Sequence, residues 1–161
     1  MADPKYLLTA QEVEAMEGVE KTHFLNANAK RNNKSLGDVT GLTGFGFHII
    51  EVEPGQETTE HHVHHHEDEC VYVLAGEAVA YIGDETVPIE SGDFLGYRKG
   101  GLAHSIKNTG TETLRGIVVG ERHAHAVGDY PRLAKRSYRN TGVEWNLVDH
   151  APIEKPIAGK K

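Results

Sequence analysis

One cysteine, Cys70, in 161 residues excludes an intramolecular disulfide. A chain of this length does not need one, because a domain of about 150 residues buries roughly 70% of the surface it exposes when unfolded. No apolar run approaches the roughly 18 residues of a membrane span. Met1–Lys5 also lacks the basic-then-apolar pattern of a secretory leader, so a cytoplasmic location is expected. Positive charge is scarce: 17 Lys+Arg stand against 24 Asp+Glu, a net −7 with histidine neutral. That balance argues against a nucleic-acid partner, which requires a basic face. Neither an internal repeat nor a strand-helix-strand period is present, which sets aside nucleotide-binding α/β folds. Apolar residues at 38% and charged residues at 25% nevertheless belong to a chain that folds. What is abundant is histidine, 11 in all, with His61, His62, His64, His65 and His66 nearly consecutive.

The texture changes twice along the chain, dividing it into 1–40, 41–122 and 123–161. In the first part Thr9 and Glu12 have the spacing of a capping box, predicting a short helix over about 10–17 that stops at Gly18. Residues 26–38 are polar and asparagine-rich and read as a loop or loosely packed arm, with Lys30, Arg31 and Lys34 as a solvated face. The middle part reads as strands over 42–53, 69–74, 78–82, 86–89, 94–98, 105–107 and 113–120. Turns fall between them at Pro54-Gly55, Gly76, Gly83-Asp84, Gly92-Asp93, Gly100-Gly101 and Gly110. Turn signals at that spacing predict an all-β sandwich or barrel. The last part carries His123-Ala-His125, read as a strand end. It also has basic Arg132, Lys135, Arg136 and Arg139, read as a solvated face or interface, and an end at Gly159–Lys161 expected to fray. Trp145 is expected to dock on the barrel or on a neighbouring subunit, since an apolar patch left in water would be anomalous.

The chemistry lies in the histidine run. His62 and His64 are two apart, which in an extended segment puts both imidazoles on one face. A turn through 65–68 would return Glu69 on the next strand, and His104 offers a fourth donor. Three imidazoles and one carboxylate suit one divalent iron, manganese, nickel, cobalt or zinc. The spacing Gly55…His62-x-His64-x4-Glu69-x6-Gly76 resembles the first motif of the cupin superfamily, and Gly92-Asp93…Gly100-Gly101…His104-x3-Asn108 resembles the second. The resemblance spans about residues 42–120. It implies a double-stranded β-helix, the small jelly-roll barrel, flanked here by a short N-terminal helix and an extended C-terminal tail. It also implies His62, His64, Glu69 and His104 as metal ligands, with Asn108 and the glycines in turns, and a homodimer. The chain departs from the family pattern between Gly55 and His62, in the Gly100-Gly101 turn, and at Arg98, where a proline is typical. These changes touch turns and leave the donors intact.

Other residues have two readings each. His48 shares parity with Ile50 and Val52, so it either looks into the barrel beside the metal or is a buried, satisfied histidine. Arg98 is a candidate substrate contact or an exposed strand end. Tyr97, like Tyr72 and Tyr81, belongs to the pocket wall or to the core. His61, His65 and His66 are exposed or orient a ligand. Cys70, next to Glu69, faces away from the metal as a small packing residue. Members of such a superfamily include isomerases, dioxygenases and noncatalytic binders. The resemblance to small sugar-phosphate isomerase-like cupins places a metal-dependent isomerase acting on a small polar substrate first, with Glu69 or His48 as the base. A ferrous dioxygenase acting on a small organic acid, and a noncatalytic binding module, are the alternatives.

Overall fold

Short runs of alternating apolar residues build the barrel, beginning at a helix whose first turn is stitched by its own side chains. The structure, a computed structural model, describes residues 4–157; the Gly159–Lys161 end expected to fray lies outside them. The Glu12 amide donates to Thr9 Oγ1 at 3.2 Å, and the Thr9 amide donates to Glu12 Oε2 at 2.8 Å, starting α1 (Ala10–Ala15). The helix ends two residues before the expected stop, and the buried ammonium of Lys34 donates to its last carbonyls, Val13 and Glu14, at 3.4 and 3.3 Å.

Strands β1 (Val19–His23) and β2 (Asn26–Ser35) form a hairpin, and a short α2 (Leu36–Val39) leads into β3 (Phe45–Val52). Next come β4 (Val63–His64), β5 (Glu69–Ala75), β6 (Glu77–Ile82), β7 (Glu85–Glu90), β8 (Phe94–Tyr97), β9 (His104–Lys107) and β10 (Leu114–Glu121). One sheet runs β1-β2-β3-β10-β5-β8 and a second runs β7-β6-β9. The core sits between them: Ile50, Val52, Val71, Val73, Leu95, Tyr97 and Leu114 come from the first, and Ala78, Ala80, Ile89 and Ile106 from the second. β5, β6 and β8 alternate inward apolar with less buried residues, as a half-buried pleat demands. Gly76 needs to be glycine: its φ is +88°, and a Cβ there would lie 3.0 Å from the Leu114 Cα. The β6–β7 hairpin closes on Gly83-Asp84 with Gly83 at φ +59° in the first central position, a type II′ requirement.

Two expectations are corrected. Residues 26–35 are a strand in the large sheet, not a loop or loose arm. Its asparagine side chains tie it to its surroundings: Asn28 Nδ2 donates to Gly55 O at 3.0 Å, Asn32 Nδ2 to Glu17 O at 2.7 Å, and Asn33 Nδ2 to Ser35 Oγ at 2.8 Å. The segment after 122 also folds, as β11 (His125–Tyr130), β12 (Lys135–Asn140) and β13 (Asn146–Asp149), in a sheet ordered β13-β12-β11-β4. Gly128 pairs with His64 and Asp129 with Val63, so this sheet is hung on β4. Trp145 does not pack into the barrel. It is 61% exposed, with the Arg139 guanidinium 5.4 Å from its ring centroid. No helix among the described residues is long and apolar enough to cross a membrane.

Candidate metal centre

The backbone brings the histidines together before their side chains meet. His62 and His104 form an isolated antiparallel bridge, His62 N donating to His104 O at 3.0 Å and His104 N to His62 O at 2.8 Å. His64 continues into β4, Glu69 opens β5 and His104 opens β9. Ligand atoms of His62, Glu69 and His104 all lie within 4.8 Å of one another. His64 Nε2 joins them, 3.0 Å from His62 Nε2 and 3.8 Å from Glu69 Oε2, while His104 Nε2 is 3.4 Å from Glu69 Oε1. All four residues expected as ligands therefore converge.

The tautomers decide what that convergence means. His62 Nδ1 faces the Glu60 carbonyl at 2.8 Å and His104 Nδ1 faces the Leu102 carbonyl at 3.3 Å, so each Nδ1 carries the proton and each Nε2 presents a lone pair. His104 Nε2 is buried without a hydrogen-bond partner among the described residues. Lone pairs directed at one point beside a carboxylate repel one another, and a cation relieves all of them together. The residues thus fit a divalent transition metal, with the backbone carbonyls fixing ring orientation from behind. Burial pushes the His62 imidazole down to about 3, with the His64 ring adding to the effect. For Glu69, burial raises the carboxyl, but the closeness of the His104 ring, and then of the His62 and His64 rings, outweighs it and brings it to about 2. A neutral imidazole and an ionised carboxylate are the forms a metal needs.

Around this point lies a cavity of about 360 Å³ that Tyr97 helps to line. Its ring stacks on His104 with centroids 3.5 Å apart and planes at 3°, and its buried hydroxyl has no partner among the described residues. Burial and the Glu69 carboxylate push that hydroxyl up, so it stays protonated. Buried Glu67 steadies His64: its Oε2 is 3.8 Å from His64 Nδ1, and its Oε1 accepts from Arg139 Nη2 at 3.2 Å.

His48 and Arg98 each take the second of their two readings, and His61 departs from both of its own. His48 does not line the cavity. Its Nδ1 sits 3.1 Å from Ser35 Oγ and 3.2 Å from Asn33 Nδ2, because β2 pairs with β3 at Ser35–His48 and supplies the partners of a satisfied histidine. Arg98 is exposed on the outer surface; Tyr97 points inward and pleating sends its neighbour out. His61 is buried, with Nδ1 3.2 Å from Ser105 Oγ, and burial and nearby Arg132 push it down to about 4. Cys70 faces outward as expected, its thiol pushed up by burial and by the Glu69 carboxylate. The sequence reading missed Lys21, His23, Arg31, Tyr130 and Arg139, which also line the cavity and come from outside the barrel segment. Only Arg31 had a usable signal, its parity with Ala29 and Asn33, both buried.

Residues 48–120 match the Cupin_2 cupin-domain family. A protein from Acidithiobacillus ferrooxidans, provisionally named a sugar phosphate isomerase, is 52% identical with a TM-score of 0.91, over 94% of this chain and 96% of its own. A second, from Silicibacter pomeroyi, named a sugar phosphate isomerase from a cupin superfamily, is 24% identical with a TM-score of 0.78, over 86% of this chain and 91% of its own; it bears on fold alone. The oxalate-binding protein of Thermotoga maritima is 31% identical over 116 residues, 70% of this chain and 86% of its own. With the two sequence motifs meeting at one point in a jelly-roll barrel, and with a relative of this identity and coverage, the chain belongs to the cupin superfamily.

Proposed function

We propose that the chain is a metal-dependent enzyme acting on a small polar substrate, with aldose–ketose isomerisation of a sugar phosphate as its reaction. The observation that carries this reading is the meeting of imidazole lone pairs and the ionised Glu69 inside a cavity of about 360 Å³. The name of the Acidithiobacillus relative supports the reaction class. Iron, manganese, nickel, cobalt or zinc held by His62, His64, Glu69 and His104 would supply Lewis-acid polarisation of the substrate's carbonyl and hydroxyl oxygens. Glu69, ionised at neutral pH, takes the proton from the hydroxyl-bearing carbon and returns it to the adjacent carbonyl carbon, while the hydroxyl proton passes to the carbonyl oxygen. The Tyr97 hydroxyl, protonated and unpartnered, donates to a substrate oxygen. His23, Phe24 and Tyr130, packed with ring centroids 4.6–5.9 Å apart, give the cavity an aromatic wall that displaces water. The kinship with an oxalate-binding protein favours a second reading, a module that holds a small organic acid without turning it over.

Elemental mass spectrometry of tag-free protein, beside His104→Ala, tests the site. About one transition metal per chain, lost in the variant, is expected. Incubation with pentose and hexose phosphates in deuterium oxide then separates the readings. An isomerase incorporates solvent deuterium at the substrate carbon. A binder shifts its melting temperature with oxalate and exchanges nothing, and oxygen uptake would instead indicate an iron oxygenase. Metal that is absent, or unchanged without His104, overturns the ligand set.

A further inference from the structure

Two cations face the same cavity from the N-terminal hairpin. Lys21 and Arg31 are direct partners in the β1–β2 register, and both line the cavity. Like charges placed directly opposite on an antiparallel ladder destabilise it. Among the described residues neither forms an ion pair, whereas Arg115, Arg122, Lys135, Arg136 and Arg139 each have a carboxylate partner. Arg31 is anchored by one bond, Nη1 donating to Thr58 O at 3.1 Å, which leaves most of its five N–H donors uncommitted. Burial pushes its guanidinium down, offset in part by Glu69 across the cavity. A partly desolvated guanidinium beside an ammonium, with one neutral acceptor between them, lacks an anion.

We infer that Arg31 and Lys21 form an anion subsite that binds the phosphomonoester or carboxylate of the substrate while its oxygenated end meets the histidine quartet. The planar fork of Arg31 suits two oxygens of such a group, and Lys21 at the rim adds a point charge. Both residues precede the segment that matches the family, so the hairpin would adapt a common barrel to an anionic substrate. This inference rests on the proposed reading of the cavity as the substrate site.

Titration calorimetry with inorganic phosphate and with oxalate, on wild type, Arg31→Gln, Arg31→Lys and Lys21→Glu, tests it, with metal content measured on the same samples. Binding of at least one anion should weaken about tenfold or more in Arg31→Gln and recover in part in Arg31→Lys, given the strength of charge-assisted bonds. Phosphate dependence identifies the phosphomonoester and oxalate dependence the carboxylate; either supports the subsite. Lys21→Glu should weaken anion binding while raising the melting temperature by about 1–3 °C, because an opposite-charge pair replaces a repulsive one. Anion affinity indifferent to Arg31, or a wild type that binds neither anion, overturns the inference. Metal retained in that case leaves the metal-enzyme reading standing. Metal absent with Arg31-dependent binding intact sinks that reading and leaves the subsite.

Discussion

Asn108 has no exposed surface, and its side-chain amide is fully used: Nδ2 donates to Val52 O and to Glu112 O, each at 2.8 Å, and Oδ1 accepts from the Gly110 amide at 3.0 Å. Truncation would strand the buried Val52 carbonyl and take the partner from the part-buried Glu112 carbonyl and Gly110 amide of the turn that follows. Asn108→Ala should therefore cost about 2–4 kcal/mol in urea unfolding, and Asn108→Asp at least as much, since it exchanges two donors for a buried charge. A loss under about 0.5 kcal/mol would mean that those groups find other partners. Tyr97 has the opposite sign. Its hydroxyl is buried with no partner, an arrangement that costs free energy in the empty protein. Tyr97→Phe should leave the melting temperature unchanged or raise it, while lowering affinity for a ligand that the hydroxyl touches. A fall of several degrees would show that the hydroxyl is already bonded. Spacing placed His62 and His64 on one face and returned Glu69 beside them, because a period of two and a return strand are local properties, while His104 entered the set through the resemblance to the second cupin motif. It did not reveal the partners of His48, which lie on a strand 13 to 15 residues earlier in the chain.

At the scale of elements, barrel strands were legible where turns punctuated an apolar alternation, as from Glu69 to Glu90. β2 was not, because its alternation is polar and its stability comes from tertiary bonds of asparagine side chains and from ladder pairing on both edges. The C-terminal sheet was hidden for a similar reason: it is organised around a half-buried carboxylate. Asp129 accepts from Arg136 Nε and Nη2 at 2.6 and 2.8 Å and meets His65 at 2.9 Å and His150 at 3.2 Å. Arg136 foremost, against burial, and then His65 and His150 hold this carboxyl far below the usual carboxylate range. A depressed folded value contributes stability above the unfolded value of about 3.9, and the contribution drains as pH falls from there through the folded value. Asp129→Asn should cost about 1–2 kcal/mol at neutral pH, a figure limited by solvent at the guanidinium. The gap from wild type should narrow between about pH 5 and pH 3. A gap that stays constant over that range would assign the loss to packing.

Across the whole molecule, the barrel supplies the four proposed ligands and the two flanking segments shape what surrounds them. β4 makes this concrete: it carries His64, pairs with β11, and is followed by His65, whose amide donates to Val127 O at 2.9 Å. The C-terminal sheet is thereby coupled to a ligand, and Glu67 ties His64 to Arg139 on β12. A cation that gathers His62, His64, Glu69 and His104 would brace β4, β5, β9 and, through β4, the sheet beyond. Binding to the folded state alone adds about 2.7 kcal/mol at a free metal concentration a hundred times Kd, or roughly 5–10 °C for a domain of this size. Chelation should therefore lower the melting temperature of wild type by that order, and readdition should restore it. In His104→Ala the increment should vanish, leaving the chelated and metal-supplemented protein with the same transition. Hydrogen exchange locates the effect: amides of β11 and β12 should lose protection on chelation if β4 transmits the loss, and keep it if the coupling stops at the barrel.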